Sequence, residues 1–114
     1  MPTFNVFVSI SRDEIPADFV LEASKFIAGL LGKPEQYVTV RVVPDQLMCH
    51  GGSNDPCGSV QLMSIGALGD KNKSHASKIG DFLESKLGIK KDRFYITFFD
   101  IARNDCGYNG TTFA

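Results

Sequence analysis

The chain has 114 residues, of which 43% are hydrophobic, and this composition predicts one compact domain with its own core. Its formal net charge of -1 gives no electrostatic basis for binding nucleic acid or an anionic membrane surface. The apolar runs are too short to cross a bilayer, so we expect no membrane insertion. The three cysteines, Cys49, Cys57 and Cys106, form no closely spaced pair and predict reduced thiols in a cytoplasmic protein.

The first half of the chain predicts a strand, a helix and a second strand. Apolar and polar residues alternate over residues 4–10, as is typical of a half-buried strand. Apolar residues then recur at helical spacing over residues 15–31, with Ser11 as the expected cap and Gly32 as the end. Residues 38–43 predict the second strand.

The second half predicts the same order of elements. Residues 60–65 have the composition of a third strand. We expect Ser74 to cap a second helix, whose apolar face lies within residues 79–87 and which ends at Gly88. Residues 94–99 predict the fourth strand.

The two halves are related by a constant offset. Gly32 and Gly88, which are expected to end the two helices, lie 56 residues apart, and the strands that follow them keep this register. We interpret the pattern as an internal duplication, roughly residues 1–57 and 58–114, within a single domain over residues 1–114.

Two tandem βαβ units predict an α/β (α+β) fold, in which a four-stranded mixed sheet carries both helices on one face. The other face would carry a mixture of apolar and polar residues: Asn5, Phe7, Thr39, Arg41, Gln61, Met63, Tyr95, Thr97 and Phe99. Such a face is too apolar for water, and parallel strands are normally covered on both sides. We therefore predict that other copies of the chain cover it.

Pro2 is the first candidate for chemistry. If Met1 is removed, Pro2 carries a secondary amine at the start of a strand, which would hold the terminus in place. Partial burial and a neighbouring cation would both keep this amine neutral, as a general base requires. The alternative is that Pro2 follows Met1 without any function.

Lys33 and the Ser64-Ile65-Gly66 segment are the next candidates. Lys33 could hold a substrate carboxylate, or it could be a solvated charge at a helix C-terminus. The segment could present backbone groups to a ligand, or it could simply end a strand. Cys49-His50 with Cys57 lacks any standard zinc spacing, so we expect no metal site.

Several short motifs, dispersed from end to end, carry a resemblance to a known family. They are Pro2, Gly32-Lys33-Pro34, residues 42–48, Gly51-Gly52-Ser53, Asp55-Pro56-Cys57, Ser64-Ile65-Gly66, Asp92-Arg93, Tyr95-Ile96 and residues 109–114. In this order they resemble the macrophage migration inhibitory factor family of the tautomerase superfamily. The resemblance implies a homotrimer whose pockets lie between subunits.

The resemblance also implies an activity, a cofactor-free keto–enol tautomerase that acts on small aromatic α-keto acids such as phenylpyruvate and on dopachrome-type substrates. By position, Pro2 is the general base, and Lys33, Ile65 and Ser64 lie at the polar end of the substrate. The aromatic walls would be Tyr37, Tyr95, Tyr108 and Phe113. The resemblance further implies cytokine-type signalling through a cell-surface receptor, after secretion by a non-classical route. In the alternative hypothesis, the protein is such a cytokine and its pocket is not used catalytically.

The chain departs from the family at five positions. Thr97 stands where vertebrate members carry an asparagine that contacts substrate. Tyr108 replaces a tryptophan, Cys106 a valine and Met63 a histidine. Val60 replaces the second thiol of a Cys-x-x-Cys motif, so we expect no dithiol exchange.

Overall fold

Four strands and two helices carry the fold in a computed structural model that describes residues 1–114. In chain order they are β1 (Pro2–Val8), α1 (Phe19–Leu31), β2 (Thr39–Val43), β3 (Gly58–Ser64), α2 (Asn72–Leu87) and β4 (Phe94–Asp100). A hairpin of two short strands, β5 (Gly107–Tyr108) and β6 (Thr111–Thr112), lies near the C-terminus and was not among the predicted elements. The predicted order of strands and helices is confirmed.

The four long strands form one mixed sheet in the order β2-β1-β3-β4. Each outer strand is parallel to the inner strand of its own half, while β1 and β3 pair antiparallel in the centre. The predicted α/β class with two βαβ units and a mixed sheet is therefore confirmed. The duplication within a single domain stays a prediction.

The hydrophobic core lies between the sheet and the two helices. α1 buries four residues spaced four apart: Phe19, Ala23, Ile27 and Leu31. α2 repeats this spacing with His75, Ile79, Leu83 and Leu87. The helices also meet each other, because the rings of Phe26 and Phe82 stack at 4.3 Å between centroids. A four-residue spacing keeps each buried row on one side of its helix, so both helices pack on the same face of the sheet.

Both helices end as predicted, but neither begins where the sequence suggested. Gly32 and Gly88 adopt the left-handed conformation at the helix ends. Ser11 hydrogen-bonds Glu14 at a separate 3₁₀ turn, and α1 starts only at Phe19. The cause is Pro16, which disfavours helical backbone in the residue before it and leaves residue 15 extended.

α2 begins at Asn72, two residues before the predicted cap Ser74. A 3₁₀ turn over Gly69–Lys71 leads directly into it, so the backbone has helical angles before Ser74 is reached. Neither this helix nor α1 is long and apolar enough to cross a membrane.

The second face of the sheet is left open by this chain. On β4, Tyr95 is 76% exposed and Phe99 is 38% exposed, and the loop residue Leu47 is fully exposed. Large apolar side chains gain free energy when they are removed from water. The prediction that other copies cover this face is consistent with the exposure and stays a prediction.

Candidate functional site

A cavity of about 210 Å³ lies beside the N-terminus. It is lined by Met1, Lys33, Pro34, Tyr37, Ile65, Arg103 and Phe113. The cavity thus collects residues from the start of β1, the end of α1, the turn after β3 and the C-terminal segment. Four of the predicted site residues lie in its wall: Lys33, Tyr37, Ile65 and Phe113.

Pro2 is the first residue of β1 and is fully buried. Its strand partner is Ser64, the last residue of β3. Directly opposed residues of antiparallel strands point to the same face, so the hydroxyl of Ser64 lies beside the Pro2 ring. That hydroxyl is buried and has no hydrogen-bond partner within the chain. The pairing anchors the residue that follows Met1; Met1 lines the cavity, whereas Pro2 and Ser64 do not.

Lys33 is aimed at Ile65 by the end of α1. Its backbone N–H closes the last turn onto the carbonyl of Ala28 at 3.0 Å, just after the left-handed Gly32. Its ammonium donates a hydrogen bond of 2.6 Å to the carbonyl oxygen of Ile65. An ammonium has three N–H donors, so two remain for a ligand.

Asp100 and His75, which sequence reasoning missed, hold the turn after Ile65. Gly66 and Ala67 both have positive φ angles, of 74° and 62°. The N–H of Gly66 donates to the carboxylate of Asp100 at 3.2 Å, and the carbonyl of Ala67 accepts from Nε2 of His75 at 2.7 Å. An alanine in this conformation costs roughly 1–2 kcal/mol, so these bonds hold a strained turn in place.

Three aromatic rings form one wall of the site. Tyr37 meets the edges of Tyr108 and Phe113 at 5.6 and 6.0 Å, and the latter two rings stack at 5.6 Å. The β5–β6 hairpin brings the last two together, and its Asn109-Gly110 turn has positive φ at both positions. Asn-Gly is the strongest short-range hairpin signal, and it could have revealed this element from the sequence.

A second hollow, of about 190 Å³, adjoins the aromatic wall. Met1, Tyr37 and Phe113 line both spaces, and Tyr108 and the half-buried Cys106 line only the second. The predicted aromatic residue Tyr108 therefore joins the site through this neighbouring hollow.

Within one chain, Tyr95 and Thr97 lie away from this cavity. In the β3–β4 register they lie opposite Ser59 and Gln61, whereas Pro2 pairs with Ser64. At about 3.3 Å per residue, Tyr95 is thus about 16 Å along the sheet from the level of Pro2. Both also lie on the open face, while Pro2 lies on the helix face, because side chains alternate along a strand.

The terminal amine is electrostatically perturbed. Burial lowers the pKa of the Met1 α-amino group from its ordinary value of 8.0, and the nearby Lys33 ammonium lowers it further. The nearby Cys106 side chain acts in the opposite direction on this pKa. The net result is an amine that loses its proton more readily than a free N-terminus.

The remaining thiols and acidic groups are dispersed. All three cysteines are free, with Cys57 buried and Cys49 exposed. No group of three or more His, Cys, Asp or Glu side chains converges in a way that could hold a metal ion.

The fold and the site define a class of protein: a small α/β chain with two βαβ units, in which a central strand begins at Pro2 and the preceding Met1 lines the site. Residues 1–114 match the family described as Macrophage migration inhibitory factor (MIF). The chain therefore belongs to the macrophage migration inhibitory factor family, which is part of the tautomerase superfamily.

Relatives and solved structures agree with this assignment. The chain is 44% identical to a macrophage migration inhibitory factor homolog of Trichuris trichiura, over 99% of this chain and all of that protein. It is 41% identical to macrophage migration inhibitory factor of Mus musculus over the full length of both. The Trichinella spiralis structure superposes with a TM-score of 0.95 at 39% identity, covering 97% of this chain and 99% of that one. The signalling role, the receptor and the cellular location stay predictions.

Proposed function

We propose that this protein is a cofactor-free keto–enol tautomerase that acts on small aromatic α-keto acids such as phenylpyruvate. The observation that carries the proposal is the anchored N-terminus: Pro2 begins β1 directly after Met1, which lines a cavity together with Lys33 and aromatic rings. Family membership supports the same reaction class.

In the proposed mechanism, the Pro2 nitrogen takes a proton from the carbon next to the substrate carbonyl. The electron pair of that C–H bond becomes the C=C bond of the enol. The protonated Pro2 amine then gives the same proton to the former carbonyl oxygen, which restores the neutral base. The two free N–H donors of Lys33 bind the substrate carboxylate next to Ile65. The ring of the substrate rests on Tyr37 and Phe113, whose apolar surfaces also keep the base neutral.

The mechanism depends on one processing step. While Met1 is attached, the nitrogen of Pro2 belongs to an amide, and its lone pair is delocalised into the peptide bond. Only removal of Met1 converts it into a basic secondary amine. Proline at the second position is small enough for this removal. We expect burial and the Lys33 charge to lower the pKa of the Pro2 amine, as they lower that of the Met1 amine.

Assembly would complete the site. We infer a homotrimer in which Tyr95 and Thr97 of one copy reach the cavity of its neighbour. Support comes from the exposure of Tyr95 and Phe99 on the open face and from the distance of Tyr95 from Pro2 within one chain. A threonine at position 97 offers a hydroxyl on a short side chain, so its contact with substrate depends on how closely the copies approach.

One preparation tests activity, terminus and assembly together. We expect phenylpyruvate tautomerisation at a rate proportional to the fraction of chains that begin at Pro2, as measured by intact mass. Light scattering at micromolar concentration should give about three times the chain mass of 12.5 kDa. Full activity in chains that retain Met1 would refute the mechanism, and a monodisperse monomer would refute the trimer.

The pH dependence follows from the lowered amine pKa. Pro2 acts as a base only when neutral, so kcat/KM should rise with pH to a plateau. By analogy with the Met1 amine, whose pKa lies below its ordinary value of 8.0, we expect the midpoint of this rise to lie below 8.0. Removing the Lys33 charge with Lys33→Met should raise this midpoint, because a nearby ammonium disfavours the protonated form of the amine. Lys25→Met, on the exposed side of α1, is the control and should leave it unchanged. A wild-type midpoint at or above 8.0 would contradict the prediction.

A further inference from the structure

The cavity contains a second cation, Arg103, besides Lys33. The Lys33 ammonium is already bound to the Ile65 carbonyl, whereas the guanidinium of Arg103 makes no hydrogen bond and both ion pairs of the chain involve other residues. By contrast, the guanidinium of Arg93 donates to four backbone carbonyls. Arg103 thus keeps all five of its donors available at the cavity.

The backbone of Arg103 is fixed against the aromatic wall. It opens a 3₁₀ turn, Arg103–Asp105, which is closed by a hydrogen bond of 2.9 Å from the N–H of Asp105 to the carbonyl of Ala102. The carbonyl of Arg103 accepts from the N–H of Phe113 at 3.2 Å. The root of this side chain is therefore tied to one of the rings that line the cavity, although its guanidinium is free.

We propose that Arg103 is a specificity residue that binds a second carboxylate of the substrate, at the end remote from the keto acid group. The inference rests on the proposed tautomerase function. A planar guanidinium offers two parallel N–H donors that match a carboxylate, and Arg103 has no competing acidic partner. Lys33 would hold the α-keto carboxylate, the ring would lie on Tyr37 and Phe113, and Arg103 would meet the far carboxylate.

The substrate class is thus an aromatic α-keto acid that carries a ring carboxylate. Phenylpyruvate and 4-carboxyphenylpyruvate form a matched pair of probes, since they differ only in that group. Arg103→Ala should raise the KM for 4-carboxyphenylpyruvate by about tenfold, the typical value of a charge-assisted hydrogen bond near a surface. The KM for phenylpyruvate should change by less than about twofold, since it lacks the second carboxylate.

Two further variants control the measurement. Arg103→Lys keeps the charge but loses the two parallel N–H donors. Its KM for 4-carboxyphenylpyruvate should therefore lie between those of wild type and Arg103→Ala. Arg12→Ala removes an arginine that lines a different groove and should affect neither substrate. Equal effects of Arg103→Ala on both substrates, or none on either, would overturn the inference.

A binding experiment separates this inference from the proposed function. Cinnamate and 4-carboxycinnamate are unreactive analogues whose Kd values can be measured by calorimetry without any turnover. We expect Arg103→Ala to weaken the binding of 4-carboxycinnamate by about tenfold and to leave the Kd of cinnamate unchanged. If Arg103→Ala has this effect on binding but the wild type isomerises neither keto acid, the proposed function fails and the inference stands. If Arg103→Ala leaves the ratio of the Kd values for 4-carboxycinnamate and cinnamate unchanged, the inference fails.

Discussion

Insertion of an alanine between Met1 and Pro2 is expected to reduce phenylpyruvate tautomerisation at least about a hundredfold, the usual contribution of a general base. Once Met1 is removed, the new terminus is alanine and the Pro2 nitrogen remains an amide with no basicity. The added residue takes the place of Met1, which lines the cavity in the present structure, so β1 and its pairing with β3 need not change. Initial rates on phenylpyruvate, together with the intact mass, measure the effect.

Pro2→Gly provides a second variant for the same conclusion. It keeps a terminal amine but loses the ring that fixes φ and packs at the start of the buried strand. We expect loss of activity here too, with cooperative thermal unfolding as the control for folding and wild-type light scattering as the control for assembly. Wild-type rates in either variant would show that Pro2 is not the base.

Arg93→Ala is expected to destabilise the chain by about 3 kcal/mol. Its guanidinium donates to the carbonyls of His50, Ser53, Asp55 and Pro56 at distances between 2.8 and 3.3 Å. These bonds hold the loop between β2 and β3 against the start of β4. Hydrogen bonds to a charged donor are worth more than neutral ones, but water can replace part of them because the site is half-exposed.

Urea unfolding of Arg93→Ala measures this effect. Arg93→Lys should recover only part of the loss, since an ammonium cannot reach four carbonyls in a planar arrangement. Lys91→Ala, which breaks an exposed ion pair with Asp81, is the matched control and should change stability little. His50, held by Arg93, contacts Tyr95 at 5.4 Å between ring centroids, so the loosened loop should also alter the surroundings of Tyr95. An unchanged unfolding midpoint for Arg93→Ala would contradict this role of Arg93.

The strands, the helix ends and the core face could be predicted from the sequence because local patterns encode them. Period-two alternation identified β1, and the glycines at 32 and 88 ended the helices, since each signal depends only on neighbouring residues. The start of α1 was misjudged because Ser11 satisfied a capping pattern that Pro16 confines to a separate turn. The Asn109-Gly110 hairpin had a clear local signal that was not used.

The candidate site could be predicted only where a residue carries an unusual local signal. Pro2 stood out as a secondary amine at a strand start, and Lys33 stood out between Gly32 and Pro34. Asp100 and His75 carry no such signal, and their role arises from hydrogen bonds to a turn that lies 34 and 8 residues away in the chain. Local pattern reasoning has no access to such contacts.

By itself, the sequence determined that Pro2 stands at the start of a strand and that two βαβ units form one sheet, because periodicity and glycine positions are properties of short segments. The tertiary structure alone decided that Arg103 lines the cavity unpaired, and that Tyr95 lies about 16 Å along the sheet from the level of Pro2. The physical reason is that a cavity is assembled from residues at the two ends and the middle of the chain, whose distances are set by sheet register and packing.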